Sequence, residues 1–355
     1  MVNFLGKSSS RLPEAVYILN SGSVVGTKEG EGPLGVLFDK VSKDDMFGCK
    51  TWEDAECSLQ KEALEMALAK CHMSTGEIRY LFAGDLLGQS MASSFGLASF
   101  EIPHFGLYGA CSTCGEALAL GAMTIAGGYA DRVACVTSSH FASAEKEFRF
   151  PLNYGNQRPL SATWTVTGSG AFLLGNEKAR MAYLEKEESV TDKSNRQARA
   201  KITGFTVGTM VDYGLRDSMN MGACMAPAAA RTIAGHLQDF GVGPEHYDKI
   251  ITGDLGLVGK EILLDLLWKQ GIDISMNHTD CGIEIFDGKT QDTHSGGSGC
   301  GCCAVTLSAY ILKQLEEKAW KRVLFVPTGA LLSKTSFNEG KTVPGIAHGI
   351  VLESL

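Results

Sequence analysis

The feature that most constrains the fold is a set of short motifs that occurs twice along the 355-residue chain. AGDLL at 83–87 is matched by TGDLG at 252–256, and ADRVACV at 130–136 is matched by WKRVLFV at 320–326. Short apolar runs beside turn residues are typical of buried strands. The repeat therefore predicts two related units, each built on the same succession of strands.

Strands and helices alternate around these motifs. The first half is predicted to contain strands over 15–25, 79–82, 132–137 and 163–174 and a helix over 52–73; the second half is predicted to contain strands over 200–211, 249–252, 322–327 and 347–352 and helices over 223–240 and 304–319. Such alternation favours a mixed α/β fold. We place the N-terminal half at residues 1–180 and the C-terminal half at residues 181–355.

Residues 107–139 predict a strand, a tight turn and a helix, with a cysteine on the turn. The turn Gly109-Ala110-Cys111-Ser112 consists of small residues, and the helix after it ends at Gly127-Gly128. Unpaired backbone N–H groups and the helix dipole at such a position stabilise a thiolate or a bound anion. We therefore predict a site for a carboxylate, an acyl group or a redox partner at Cys111.

Composition and charge narrow the function classes. A net charge of −8 opposes binding to nucleic acid, because contact with phosphates needs a basic surface. We expect no transmembrane segment, since no run of about 18 apolar residues occurs, and no signal peptide, since the N-terminus lacks an apolar core. The 11 cysteines are then expected to be reduced thiols of a cytosol-like compartment.

Two other cysteine patterns have chemical alternatives. Cys111 and Cys114 form a C-x-x-C pair, which is compatible with redox chemistry, although the Ala- and Gly-rich helix after them differs from a thioredoxin context. Cys300, Cys302 and Cys303 lie close together, but no second C-x-x-C or histidine pair stands at the spacing of zinc ligands. Small buried residues at a helix start explain these three better, so we predict no metal site and no cofactor.

Long contiguous motifs in both halves carry a family resemblance. The segment from Tyr108, YGACSTCGEALALGAMTIAGGYADRVACVTSSHFASAEKEFRFPLNYGNQRP, and the segment from Asp292, DTHSGGSGCGCC, resemble the stage V sporulation protein AD family. The closing PGIAHGIVLE at 344–353 is similar to the last turn and strand of thiolases and ketoacyl synthases. The resemblance covers nearly the whole chain. It implies a thiolase-like fold of two duplicated α/β halves, packed as αβαβα layers.

The resemblance places Cys111 at the nucleophile position of thiolase-like enzymes. Condensing enzymes pair this cysteine with two further groups, His with His or His with Asn, which bind the thioester oxygen and accept protons. This chain has Asp254 where one histidine is expected, and an ionised carboxylate opposes thiolate formation. His294 occupies the Gly-rich turn as in thiolases, whereas His348 stands near the place of their second cysteine. We therefore expect acyl transfer to be disabled.

The loop His140–Pro159 is expected to lie near the pocket or a dimer partner, as its counterpart does in this superfamily. It is rich in aromatic residues and contains Arg149, Tyr154, Gln157 and Arg158. Guanidinium groups bind carboxylates through two hydrogen bonds, and aromatic faces stack on flat rings. A dicarboxylate with an aromatic ring would suit this lining; ordinary surface contacts are the alternative for each residue.

The resemblance implies a non-catalytic protein whose degenerate cleft binds dipicolinic acid, alone or as its calcium chelate, and supports its uptake into the developing endospore. Cys111 and His294 would form the cleft floor, the arginines would pair with the carboxylates, and Asp254 would accept a hydrogen bond or help to hold a calcium-bound form. The alternatives are an active acyl-thioester transfer enzyme that uses Cys111 and His294, and a scaffold with an empty pocket.

The resemblance also implies protein partners. We expect a homodimer, the usual state in this superfamily, and membrane-embedded sporulation channel proteins of the same operon. The protein would be peripheral, on the cytoplasmic side of the forespore or spore inner membrane. The negative net charge gives no reason to expect a nucleic-acid partner.

Overall fold

The computed structural model describes residues 3–147, 157–187 and 198–355. Within these ranges the strands are β1 (Asn3–Leu5), β2 (Ser9–Val25), β3 (Lys40–Val41), β4 (Tyr80–Gly84), β5 (His104–Leu107), β6 (Arg132–Ser139), β7 (Trp164–Thr165), β8 (Gly168–Gly175), β9 (Ala200–Thr206), β10 (Lys249–Thr252), β11 (His278–Asp280), β12 (Gly297–Ser298), β13 (Arg322–Val326), β14 (Thr328–Ala330), β15 (Gly345–Ala347) and β16 (Gly349–Glu353). Most of them join one large sheet.

The same strand order occurs twice across this sheet. Its path runs β11-β10-β13-β16-β9-β2-β8-β6-β4-β5. Each half contributes five strands to this path, and from the outer end to the centre they are the third, second, fourth, fifth and first of that half along the chain. β4 is parallel to β5 and β6, as β10 is parallel to β11 and β13, and the remaining pairs along this path are antiparallel. β2 and β9 pair antiparallel at the centre. The predicted duplication of an α/β unit is confirmed.

Helices lie on the outer faces of the sheet and between its two halves. They are α1 (Thr27–Gly30), α2 (Trp52–Lys70), α3 (Met91–Leu97), α4 (Thr113–Ala126), α5 (Phe141–Glu145), α6 (Glu177–Glu187), α7 (Met221–Phe240), α8 (Gly256–Trp268), α9 (Cys281–Glu284), α10 (Cys300–Thr306), α11 (Leu312–Glu316) and α12 (Lys334–Asn338). Among the described helices, none has both the length and the apolar character needed to span a bilayer.

Two central helices, α4 and α10, form the middle layer. Leu118 of α4 and Val305 of α10 belong to the same buried cluster as Phe172 of β8 and Ile350 of β16, which lie in different halves of the sheet. α10 approaches β8 closely because small residues line the contact: a Cβ on Gly170 of β8 would lie 2.8 Å from the Ala304 backbone of α10. The middle layer therefore carries the N-terminal ends of both helices to one place.

Separate clusters pack on the outer faces. Leu64 of α2 lies in a cluster with Leu173 of β8, and Ile233 of α7 lies in another with Leu324 of β13. Helices outside both halves of the sheet and between them give the αβαβα arrangement. Burial of these apolar side chains, worth about 25 cal/mol per Å², is the main stabilising contribution.

The helix of the middle layer in the C-terminal half differs from its prediction. The helix predicted over 304–319 runs from Cys300 to Glu316 and contains a π-helical turn at Leu307–Ile311. Within that turn the Ser308 carbonyl accepts a hydrogen bond from Arg199 at 2.7 Å, a long-range contact that a local pattern cannot reveal. The division at residue 180 falls inside α6, between β8 and β9, and stays a prediction.

Candidate functional site

The turn that carries Cys111 is a strained elbow between β5 and α4. Ala110 has a φ of 50°, a left-handed conformation that is unfavourable for residues other than glycine. Ser112 Oγ donates to the Gly109 carbonyl at 2.7 Å, and Thr113 Oγ1 donates to the Ala110 carbonyl at 2.6 Å. These bonds fix Cys111, which is 5% exposed, beside the first turn of α4. The predicted strand–turn–helix is present.

The C-terminal half packs directly on this elbow. A Cβ on Gly329 of β14 would lie only 2.3 Å from the Gly109 carbonyl oxygen, so no larger residue fits without displacement. The thiol of Cys303 in α10 lies 3.7 Å from the Cys111 carbonyl oxygen. The nucleophile position is therefore built at the junction of the two halves.

Asp254 is the carboxyl group that the second half places against Cys111. It follows β10, is 1% exposed and accepts hydrogen bonds on both oxygens. Thr328 Oγ1 donates to Oδ1 at 2.6 Å, and the Gly299 N–H donates to Oδ2 at 3.0 Å. The Cys111 side chain also acts on this carboxyl, since each of the two groups shifts the pKa of the other. The predicted proximity of Cys111 and Asp254 is thus present in the structure.

This pairing changes the acidity of both groups. Burial raises the pKa of Asp254 to about 7, against the opposing hydrogen bonds from Thr328, Cys111 and the Gly299 N–H. Burial, followed by the charge of Asp254, raises the pKa of the Cys111 thiol well above its ordinary value. Reactive cysteines need the opposite, a pKa lowered by a cation or an exposed helix N-terminus. Cys111 is therefore a neutral thiol around pH 7.

A cavity of about 480 Å³ opens next to the elbow, with Cys111 in its wall. Tyr108 is held at its edge by a hydrogen bond of 2.9 Å from its hydroxyl to the Leu332 carbonyl. The Lys334 ammonium approaches the Glu147 carboxylate to 4.0 Å. The described lining residues are Leu86, Leu87, Gly88, Gln89, Ser90, Tyr108, Ala110, Cys111, Ala144, Glu147, Thr165, Met221, Ser298, Gly299, Ala330, Leu332, Ser333, Lys334 and Thr335.

A wider groove of about 770 Å³ lies elsewhere, at the start of β4 and β6. Arg79, Arg132 and Tyr129 belong to its lining. It is far along the strands from the elbow, at the opposite end of β4 from the turn that contains Asp85. The smaller cavity is the candidate site, because it alone of these two borders Cys111.

Two of the predicted ligand residues meet each other at Asp292. His294 Nδ1 hydrogen-bonds to the Pro159 carbonyl at 2.9 Å, and its Nε2 lies 3.1 Å from Asp292 Oδ1. Arg158 Nη2 donates to the Asp292 carbonyl at 2.6 Å, and the guanidinium lies 4.8 Å over the Trp164 ring. Neither residue belongs to the described cavity lining. Their roles toward a ligand stay predictions.

His348 and Gln157 do not belong to the described cavity lining. His348 is buried, its Nδ1 accepts a hydrogen bond from the Gly208 N–H at 3.3 Å, and burial lowers its pKa to about 4. Gln157 is exposed. Arg149 and Tyr154 lie outside the described residues.

Sequence reasoning missed two side chains of the site, Thr328 and Lys334. A signal for Thr328 existed, because it follows β13, which is the parallel neighbour of β10, and the carboxyl ends of parallel strands meet at one edge. Lys334 lies in a polar segment after β14, with no motif that would connect it to Cys111.

Solved structures share this architecture. Human mitochondrial 3-ketoacyl-CoA thiolase in complex with CoA has a TM-score of 0.57 and 12% identity, covering 97% of this chain and 99% of that chain. 3-oxoacyl-acyl-carrier-protein synthase III from Aquifex aeolicus VF5 has a TM-score of 0.53 and 13% identity, covering 95% and 99%. At such identities the likeness shows the fold alone, which is thiolase-like.

Sequence comparison is more specific. Stage V sporulation protein AD of Bacillus subtilis (strain 168) is 40% identical over 348 residues, which cover 98% of this chain and 97% of that protein. The family model described as Stage V sporulation protein AD (SpoVAD) matches residues 6–353. The chain therefore belongs to the stage V sporulation protein AD family.

Proposed function

We propose that this sporulation protein binds dipicolinic acid in the cavity beside Cys111, without catalysis, and supports uptake of the acid into the developing endospore. The observation that carries the proposal is the buried pair of Cys111 and Asp254. The elbow and an adjacent cavity are kept, whereas the thiol faces a carboxyl that opposes its ionisation. Such a site favours holding a ligand over attacking it.

The cavity has the size and composition of a small-molecule site. Its volume of about 480 Å³ lies within the usual range of ligand pockets. Leu86, Met221 and Leu332 supply apolar surface for a pyridine ring. Lys334 and Ser333 supply polar groups at the same cavity, so that a carboxylate of dipicolinate can pair with a cation while the ring contacts apolar side chains.

Asp254 fits the hydrogen-bonding role better than the calcium-holding role. Its two oxygens already accept bonds from Thr328 and the Gly299 N–H. A calcium ion takes six to eight oxygen ligands, and a carboxylate committed to internal donors is a poor one. We therefore expect dipicolinate to bind without calcium, and titrations with and without added calcium compare the two forms.

Calorimetric titration with dipicolinate tests the proposal. We expect binding by the wild-type protein and a loss of affinity of about 10- to 100-fold for Lys334→Ala, the range for removing a hydrogen bond to a charged group. Lys341→Ala is the matched control, because this exposed lysine lies outside the cavity lining. Arg158→Ala decides whether the cluster at Asp292 contributes. Absence of binding by folded wild-type protein would refute the proposal.

The strained elbow also supports a second candidate, an acyl-thioester transfer enzyme that uses Cys111 and His294. Ala110 keeps the left-handed turn that presents a side chain at the start of α4. Against it, the contacts of His294 are with Pro159 and Asp292. Mass spectrometry after incubation with acyl-CoA distinguishes the candidates: an acyl adduct on Cys111 supports the enzyme, and an unchanged mass supports the binding protein.

We further propose a homodimer that works with membrane-embedded channel proteins of the same operon at the cytoplasmic side of the forespore or spore inner membrane. The dimer is supported by β5, which pairs only with β4 in the described part of the sheet and leaves one edge free. Phe105 of β5, Phe95 of α3 and Met123 of α4 are exposed. An unpaired edge with apolar residues around it favours association with a second copy.

A further inference from the structure

Asp254 is a buried titratable group directly behind the cavity wall. It is 1% exposed, and the N–H of Gly299, a residue of the cavity lining, donates to its Oδ2 at 3.0 Å. Cys111 also belongs to the lining, and its side chain and the Asp254 carboxyl shift each other's pKa. A charge that enters the cavity therefore acts on Asp254 across one layer of lining residues.

A dicarboxylate in the cavity would favour the protonated form of Asp254. Its negative charge would stand across the cavity wall from the Asp254 carboxyl, within a buried region where charges interact strongly. Repulsion disfavours the ionised form of Asp254 and favours the protonated form. We propose that binding of a dianionic aromatic dicarboxylate takes up one proton, which Asp254 carries; this inference rests on the proposed function.

Asp254 is the group of this site that gains or loses a proton around neutral pH. Cys111 stays protonated, because burial and Asp254 raise its pKa well above the ordinary value. Asp280 accepts hydrogen bonds from the Leu255 and Gly256 N–H groups, and its negative charge raises the pKa of Asp254. The titratable groups that face Asp254 are Cys111 on the elbow, Asp280 at the end of β11, Cys281 on α9 and Cys300 and Cys302 on α10, with Tyr108, Glu147 and Lys334 lining the cavity.

The expected pH dependence follows from this assignment. In the free protein the pKa of Asp254 is about 7, so the carboxyl is mostly ionised above that pH. Carboxyl groups in solution ionise near pH 4, so dipicolinate itself keeps a constant charge above about pH 6. Above pH 7 each binding event must then bring a proton, and the dissociation constant should rise up to about tenfold per pH unit.

Calorimetry with dipicolinate between pH 6 and 8.5, in two buffers of different ionisation enthalpy, tests the inference. For the wild-type protein we expect an affinity about tenfold weaker at pH 8.5 than at pH 7.5 and an uptake approaching one proton per ligand at pH 8. Asp254→Asn should bind with an affinity that changes less than about twofold over this range. Glu29→Gln is the matched control, because Glu29 is another buried carboxyl with a pKa of about 8 that lies outside the cavity lining.

The outcomes separate the two proposals. Binding by the wild-type protein with no proton uptake and no pH dependence would overturn this inference alone. Absence of binding at every pH would overturn the proposed function and this inference with it. The proton count on the wild-type protein decides the question even where Asp254→Asn does not fold. Loss of the pH dependence in Glu29→Gln would assign the proton elsewhere and also overturn the inference.

Discussion

Replacement of Glu29 by glutamine should make the protein less sensitive to alkaline pH. Glu29 in α1 is 1% exposed; its Oε1 accepts a hydrogen bond from the Thr167 N–H at 2.9 Å, whereas its Oε2 is buried without a partner. Burial raises the pKa of Glu29 from 4.5 to about 8, against the Thr167 bond, and the charge of Asp45 adds to the rise. The folded protein therefore holds a proton that the unfolded chain releases near pH 4.5.

The magnitude follows from this difference. The stability that Glu29 contributes is fully present below pH 4.5 and is lost as the pH rises to about 8, at about 1.4 kcal/mol per pH unit. From pH 5.5 to 7.5 the loss is about 2 to 3 kcal/mol. Glu29→Gln removes this titration and keeps the acceptor for Thr167. The amide N–H₂ of the glutamine also replaces Oε2, the oxygen of Glu29 that has no partner. This oxygen lies near Asp45, because Glu29 Oε2 and Asp45 Oδ1 would both lie within 3 Å of a Cβ on Gly26.

Urea unfolding of both proteins at several pH values measures the effect. The difference in free energy of unfolding should move by about 2 to 3 kcal/mol in favour of Glu29→Gln between pH 5.5 and 7.5. Glu65→Gln is the control, since this exposed residue on α2 makes a surface ion pair with Lys61; we expect a change below about 0.5 kcal/mol. A difference that stays constant with pH would refute the reasoning.

Three further predictions concern the site and its surroundings. Thr328→Val removes the donor at 2.6 Å from Asp254 and should cost about 1.5 to 3 kcal/mol in urea unfolding at pH 8, and less at pH 6, where the carboxyl is mostly neutral. Ala110→Gly should raise the melting temperature through a gain of about 1 kcal/mol, because glycine tolerates a φ of 50°. Phe105→Asp should convert a dimer to a monomer in sedimentation, because it places charge beside the free edge of β5.

Each of these has an outcome that contradicts it. Equal losses for Thr328→Val at pH 6 and pH 8 would mean that Asp254 does not change its charge between them. Ala110→Val should destabilise, because a β-branched residue is strained at positive φ, and a stabilising effect would refute the elbow argument. Phe4→Asp, at an 85% exposed position on β1, controls for added charge; a dimer that survives Phe105→Asp places the interface elsewhere.

The strands whose apolar pattern is local could be predicted from the sequence, whereas features that depend on long-range pairing could not. The paired motifs led to the duplicated units, and the strand over 249–252 has the predicted bounds. The helix α8 (Gly256–Trp268) was not predicted, because it starts directly in the turn after β10, where Gly256 has a φ of 64°. The strand predicted over 163–174 divides into β7 and β8, since β7 pairs with β12, far away in the sequence. Long-range pairing of this kind leaves no local signal.

The site could be predicted in part for the same reason. Cys111 follows β5 and Asp254 follows β10, so the duplicated unit places each of them at the carboxyl end of a strand. The direction in which a side chain points does not follow from the duplication. His294 has a φ of 54°, and its ring hydrogen-bonds to the Pro159 carbonyl, which a motif in the chain cannot indicate.

Comparison of the two Gly-Asp-Leu turns shows which properties of Asp254 come from the fold and which from the site. The Gly-Asp-Leu turn occurs in both halves, and both aspartates, Asp85 and Asp254, are buried. Asp85 accepts hydrogen bonds from the N–H groups of Leu87 and Ser93, at most eight residues away, which close its own turn.

Asp254 instead accepts bonds from Thr328 and Gly299, 74 and 45 residues away, and its pKa responds to Cys111 in the other half of the protein. A buried aspartate after the second strand is therefore a property of the repeated unit. The partners of Asp254 distinguish it from Asp85, because they couple its charge to a thiol in the cavity wall. The difference between the two halves, rather than the residue type, is thus the reason that the proposed proton uptake is assigned to Asp254 and not to Asp85.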